Sequence, residues 1–209
     1  MKFYDCLSAP SPRRVRMFLA EKGITLDTVQ VDLGAGEHLN DAFRSINPHR
    51  TVPVLELDDG TRLLDSNSIS LYLDEIFPQL NLTGRDAKER AVIAMWQREL
   101  DLNGFGAVAE CFRNSTKGLR NRALTGPVNY EQIPALAERG RLRVRHFFSN
   151  LNRTLQDSEF IAGDRFTVAD ITAFVAVEFA RAVKESVPDD TVHLTRWRDA
   201  IRARPSSGV

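Results

Sequence analysis

The sequence predicts two unlike domains: an α/β domain with the element order β-α-β-α-β-β-α over residues 1–80, then an all-helical domain over residues 86–209. Three observations carry this. Short apolar runs alternate with helical patterns as far as Thr83. An Asp58-Asp59-Gly60 turn signal separates two apolar runs, as in a β-hairpin. Beyond Thr83 only long helical periodicities occur.

In chain order, Lys2 to Leu7 is a short apolar and aromatic run that reads as a strand. Ser11-Pro12 then opens a helix, with serine as cap and proline at the first helical position, where a missing N–H costs nothing. Val15, Phe18 and Leu19 form its apolar stripe, and Gly23 stops it. A second strand fits Thr28 to Leu33, before Gly34 and Gly36. His38 to Ile46 reads as a short helix ended by Asn47-Pro48. Val52 to Leu57 and Arg62 to Leu64 are the hairpin strands, and Asp65-Ser66 launches a helix that runs towards Pro78.

The helical half carries patterns at Asp86 to Asn114, Ile133 to Leu155, Val168 to Lys184 and Leu194 to Ala203, with Asn81 to Arg85 as the joint. Thr167-Val168-Ala169-Asp170 is a capping box, and Phe166 and Ile171 are spaced as a hydrophobic staple. It fixes the start of a core helix and does no chemistry. The basic run Arg139 to Arg145 alternates with Leu142 and Val144, the wet face of an amphipathic helix and not a nucleic-acid patch.

Of 209 residues, 43% are hydrophobic and 27% charged, an ordinary globular composition. Lys+Arg and Asp+Glu are both 28, so no net field draws the chain to nucleic acid or an anionic membrane. Small molecules and other proteins are the expected partners. No apolar stretch approaches the ~20 residues that cross a bilayer, and Met1 to Asp5 lacks the start of a secretory signal. Cys6 and Cys111 form no CxxC pair, so neither a disulfide framework nor a metal site is expected, and a cytoplasmic location follows by default.

Three stretches of the first half resemble the cytosolic glutathione transferases. They are Ser8-Ala9-Pro10-Ser11-Pro12-Arg13-Arg14-Val15-Arg16, Asn47-Pro48-x-x-x-Val52-Pro53-x-Leu55, and Leu64-Asp65-Ser66-x-x-Ile69. Gly36 to Phe43, followed by Asn47-Pro48, is similar to the bacterial theta-like and nu-like branch. Phe160 to Asp170 resembles the family's structural motif in its helical domain. The resemblance implies a thioredoxin-like first domain that binds glutathione as co-substrate, with no other cofactor. It also implies a helical domain shaping a pocket for a hydrophobic electrophile, and a homodimer.

The same resemblance implies roles for particular residues. Val52-Pro53 carries a cis peptide that turns the main chain of Val52 towards the glutathione cysteine. Ser66 holds the γ-glutamyl carboxylate and Asp65 meets the amino group, although relatives often have Glu or Gln at Asp65; simple helix capping is the competing role of both. Arg50, with His38, meets the glycine carboxylate; Thr51 stands where many relatives carry lysine. The serine that activates the thiol in theta-like relatives falls at Ala9, which has no hydroxyl. Ser11 is then the expected thiol partner, helped by the Arg13 N–H; Ser8 is the other candidate, and capping alone the competing role of Ser11. Phe105, Phe112 and Arg113 are candidates for the electrophile pocket, with plain core as the other reading of Phe112. Conjugation, or displacement of halide, is the expected reaction. Glutathione-dependent disulfide or peroxide reduction and a non-catalytic adaptor are the alternatives.

Overall fold

The computed structural model describes residues 1–209. The chain forms two compact units: Met1–Leu80 with Leu124–Asn129 and Val209, and Asn81–Ala123 with Tyr130–Gly208.

The first unit runs β1 (Lys2–Asp5), α1 (Pro10–Lys22), β2 (Asp27–Gln30), α2 (Asp41–Ile46), β3 (Val54–Glu56), β4 (Arg62–Leu63) and α3 (Ser66–Ile76). The sheet order is β2-β1-β3-β4, with β1 parallel to β2 and antiparallel to β3, and β3 antiparallel to β4. Alternation along β1 buries Phe3, among the largest fully enclosed side chains together with Phe18, Leu55, Ile69 and Leu73. Tyr4 joins a cluster with Val31, Phe43 and Val54, its ring edge-on to Phe43 at 6.4 Å. Lys22 at the end of α1 and Asp74 near the end of α3 make a buried ion pair, and Lys22 Nζ also donates to the Leu80 carbonyl at 3.2 Å.

Three local expectations change. Helix α1 begins at Pro10 with Ala9 as its cap residue, so Ser11 lies inside the first turn and caps nothing. Both Pro10 and Pro12 fit there because the first turn needs no N–H donors. Strand β2 ends at Gln30 because Asp32 starts a turn: its carboxylate accepts the Ala35 N–H at 2.9 Å, and its own N–H donates to Glu37 Oε2. The predicted helix from His38 splits into a 3₁₀ turn, Glu37–Leu39, and α2, because Asn40 Oδ1 accepts the Phe43 N–H at 2.7 Å and restarts the chain.

The second unit contains α4 (Ala87–Glu99), a π-helical stretch (Leu100–Phe105), α5 (Gly106–Ser115), α6 (Pro134–Thr154), α7 (Val168–Phe179) and α8 (Val192–Arg202). Its hub is Asp170, fully buried, which accepts the N–H groups of Ile161 and Thr167 and the Trp197 indole N–H, each at 2.9 Å. Burial pushes the carboxyl up to about 6, against the pull of those hydrogen bonds, so at neutral pH the donors meet a carboxylate. Helices α5 and α6 pack closely at Gly140, where a methyl would lie 2.5 Å from the Cys111 amide nitrogen.

Around the joint, Arg165 donates to Glu89 and to the Asn81 carbonyl, both at 2.5 Å. That bond to Arg165 holds the Glu89 carboxyl down at about 2, against desolvation. Four arginines of α6 face carboxylates: Arg139 and Arg143 share Glu110, and Arg141 and Arg145 share Glu185. No helix is long and apolar enough to cross a membrane.

Candidate active site

The turn before β3 is built by Asn47. Its side-chain amide donates to the Thr51 carbonyl at 2.8 Å and to the Thr51 hydroxyl at 3.1 Å, and its Oδ1 accepts the His49 N–H at 2.9 Å. Asn47 is fully buried, so the turn from His49 to Thr51 is clamped from beneath. Within it Arg50 takes a left-handed conformation, φ 54°, and its N–H donates to the Asn47 carbonyl. The half-buried Arg50 side chain has its Nε shielded from solvent with no partner, and no carboxylate pairs with it.

The Val52-Pro53 peptide is cis. Val52 lies just before β3, and neither its N–H nor its C=O bonds to another part of the protein. A main-chain donor and acceptor on one residue form one rung of an antiparallel ladder, ready for an extended peptide.

The second part of the site is where the first turns of α1 and α3 meet. The Ser66 hydroxyl, almost fully buried, donates to the Ser11 carbonyl at 2.9 Å. The Ser66 N–H makes no bond within the protein. Asp65 is the cap of α3, its carboxylate accepting the N–H groups of Asn67 at 2.9 Å and Ser68 at 3.0 Å and the Ser68 hydroxyl at 2.5 Å. On α1, Pro10 and Pro12 have no N–H, and the Arg13 N–H donates to the Ala9 carbonyl at 3.3 Å. Arg13 is thus not a free donor, contrary to expectation. The Ser11 N–H is the one donor of that turn left open, beside its own hydroxyl. Two helix N-termini with unspent N–H groups make an electropositive corner suited to carboxylate or thiolate.

The loop from β1 to α1 is fixed by a group that the sequence reading missed. Arg16 donates to the buried Asp5 at 2.6 Å and to the carbonyls of Cys6 and Leu7, while Gln30 donates to Asp5 at 2.7 Å and accepts the Leu7 N–H. Ser8 is exposed, with its hydroxyl 3.4 Å from the buried Cys6 sulfur. His38 sits half-buried in the 3₁₀ turn between β2 and α2.

In the second unit Phe105 and Phe112 converge on Phe179, with ring centroids 6.2 and 5.5 Å from it. All three residues are half-buried. Phe179, at the end of α7, belongs to this aromatic shelf although nothing in the linear sequence connects it with Phe105. Arg113 points its guanidinium at the Arg122 carbonyl, 2.6 Å away, and burial, with the charge of Arg122, lowers its pKa.

The chain joins a thioredoxin-like unit, with an open main-chain rung beside two helix starts, to a helical unit, the architecture of a known family. The family model for the glutathione S-transferase N-terminal domain matches residues 9–76, and that for the C-terminal domain matches residues 121–205. Glutathione S-transferase 2 of Saccharomyces cerevisiae is 35% identical, over 99% of this chain and 87% of its own length. Among solved structures, a glutathione S-transferase domain-containing protein of Marinobacter aquaeolei VT8 is 44% identical with a TM-score of 0.90, covering 99% of both chains. Gtt2 of Saccharomyces cerevisiae is 34% identical with a TM-score of 0.91, covering 100% of this chain and 99% of its own. The chain belongs to the glutathione S-transferase family.

Proposed function

We propose that the protein binds glutathione along Val52 and transfers its thiolate to an electrophilic carbon. The observation that carries this is Val52, whose N–H and C=O are both unspent beside the cis Val52-Pro53 peptide. Glutathione then runs antiparallel to it, its γ-glutamyl carboxylate at the Ser66 N–H, its amino group towards Asp65 and its glycine carboxylate towards Arg50, with His38 a further candidate for that end. A cysteine thiol titrates near ~8.5, so it needs help to ionise at neutral pH. Ser11 supplies an unspent N–H and a hydroxyl at the positive end of the 13-residue helix α1. The thiol loses its proton to water, sulfur attacks carbon, and the leaving group departs with its electron pair. Phe105, Phe112 and Arg113 are proposed to shape the electrophile's pocket.

Calorimetry should detect glutathione binding, and the ultraviolet absorbance of bound thiolate should titrate below free glutathione. In Ser11→Ala the lost hydroxyl bond should raise that midpoint by about one unit, worth about 1.4 kcal/mol, and slow transfer about tenfold at neutral pH. Ser8→Ala should leave it in place, because that hydroxyl lies beside the Cys6 sulfur. A Ser11→Ala midpoint equal to wild type removes Ser11 from the mechanism. Absence of glutathione binding rejects the whole reading in favour of a non-catalytic role.

The working form is proposed to be a homodimer. Each unit leaves large apolar side chains in water: Leu71 and Ile76 on α3, and Met95, Leu102 and Leu142 in the helical unit. Sedimentation at micromolar concentration should give twice the 23.5 kDa chain mass; a species at the chain mass rejects the dimer.

A further inference from the structure

We infer that Arg16 is the positioning residue of the thiol-activating turn. Clasped to Asp5 and Gln30, it holds the Ser11 N–H and hydroxyl where they acidify the bound thiol, given the reading that Ser11 meets that thiol.

The chain between β1 and α1 has little packing to define it. Leu7 is 68% exposed and Ser8 is exposed, and the turn is closed by the Ala9 N–H on the Cys6 carbonyl at 3.0 Å. Ser66 holds Ser11 from behind, by its carbonyl. The Ser11 N–H belongs to the peptide that joins it to Pro10, so its aim depends on the loop on that side.

Arg16 fixes that loop. Helical side chains lean towards the N-terminus of their helix, and Arg16, five residues after Ser11, reaches back past the first turn. Its guanidinium donates to the Asp5 carboxylate at 2.6 Å, to the Leu7 carbonyl at 3.0 Å and to the Cys6 carbonyl at 3.2 Å. Asp5, buried at the end of β1, stands opposite Gln30 in the parallel register. The Gln30 amide donates to the other Asp5 oxygen at 2.7 Å, and its oxygen accepts the Leu7 N–H at 3.2 Å. Three acceptors spread over three residues suit the rigid fork of a guanidinium, and not the point charge of an ammonium. The Asp5 carboxylate meets the charge of Arg16, so Arg16 acts on the thiol through position and not through its field.

The test is the ultraviolet titration of bound glutathione thiolate in Arg16→Lys, which keeps a cation for Asp5 and loses the fork. The midpoint should rise by about one unit, and transfer at neutral pH should slow about tenfold. The rate should return towards wild type at alkaline pH. At acid pH, where the bound thiol keeps its proton, glutathione affinity should hold. Gln30→Met leaves the Arg16–Asp5 pair in place; it should move the midpoint the same way by less, and serves where the lysine variant does not fold. In Ser11→Ala/Arg16→Lys the shift should fall short of the sum of the two single shifts, because both changes act on one turn. The inference is overturned if the folded Arg16 and Gln30 variants titrate as wild type while Ser11→Ala shifts. It is overturned too if the double shift equals the sum, or if affinity at acid pH falls, since Arg16 then acts apart from Ser11 or on the whole site. A Ser11→Ala midpoint equal to wild type rejects the Ser11 reading itself, and Arg16 with it.

Discussion

Asp170→Ala should cost the helical unit most of its stability, on the order of 4 kcal/mol or more. The carboxylate serves three buried N–H donors, the main chain of Ile161 and Thr167 and the Trp197 indole, besides the Thr167 hydroxyl. Alanine leaves all three without an acceptor, and each orphaned buried donor costs about 1–3 kcal/mol. It also deletes half of the capping box at the start of α7. Against a total of roughly 5–15 kcal/mol for an ordinary domain, that is close to unfolding. Asp170→Asn should lose less, because its oxygen still accepts on one side while its NH₂ opposes the Thr167 N–H. Urea denaturation followed by Trp197 fluorescence measures both variants. A loss below about 1 kcal/mol for alanine would mean that water replaces the carboxylate, contrary to its complete burial.

Arg50→Gly should move stability and affinity in opposite directions. A non-glycine residue in the left-handed region costs roughly 1–2 kcal/mol, and Arg50 stands there at φ 54°. Glycine relieves that strain but brings roughly 0.5–1 kcal/mol of extra chain entropy, so the net gain is about 0–1.5 kcal/mol. The lost guanidinium removes a charged hydrogen bond worth about 1.5–3 kcal/mol, so glutathione KM should rise about 10- to 100-fold. Arg50→Ala separates the two effects: affinity should fall as in glycine, without the gain in stability. Unchanged glutathione KM in the glycine variant would leave Arg50 a turn residue and nothing more.

Much of the fold was legible because local chemistry and tertiary structure agree. Asp65 before α3, Thr167 with Asp170 before α7, and the Asp58-Asp59-Gly60 turn each act within a few residues of themselves. The start of α1 was misread because Ser11-Pro12 satisfies the capping pattern as well as Ala9-Pro10 does; two prolines two residues apart made the register ambiguous. The π-helical stretch Leu100–Phe105 was not read from the sequence, because it interrupts the α-helical bonding for only six residues between two α-helices.

For the candidate site, the sequence by itself determined which residues to examine: Val52-Pro53, Asp65-Ser66, Arg50 and Ser11 stand in motifs whose spacing survives any fold. It determined too that this is an α/β domain followed by helices, because hydrophobic periodicity is a property of the chain. Only the tertiary structure decided which polar groups remain available. The Ser66 hydroxyl is bound to the Ser11 carbonyl 55 positions away, the Arg13 N–H is taken by Ala9, and Phe179 meets Phe105 and Phe112 from another helix. A hydrogen-bonding group is spent or open according to what lies within about 3 Å of it, and that distance is set by chain packing.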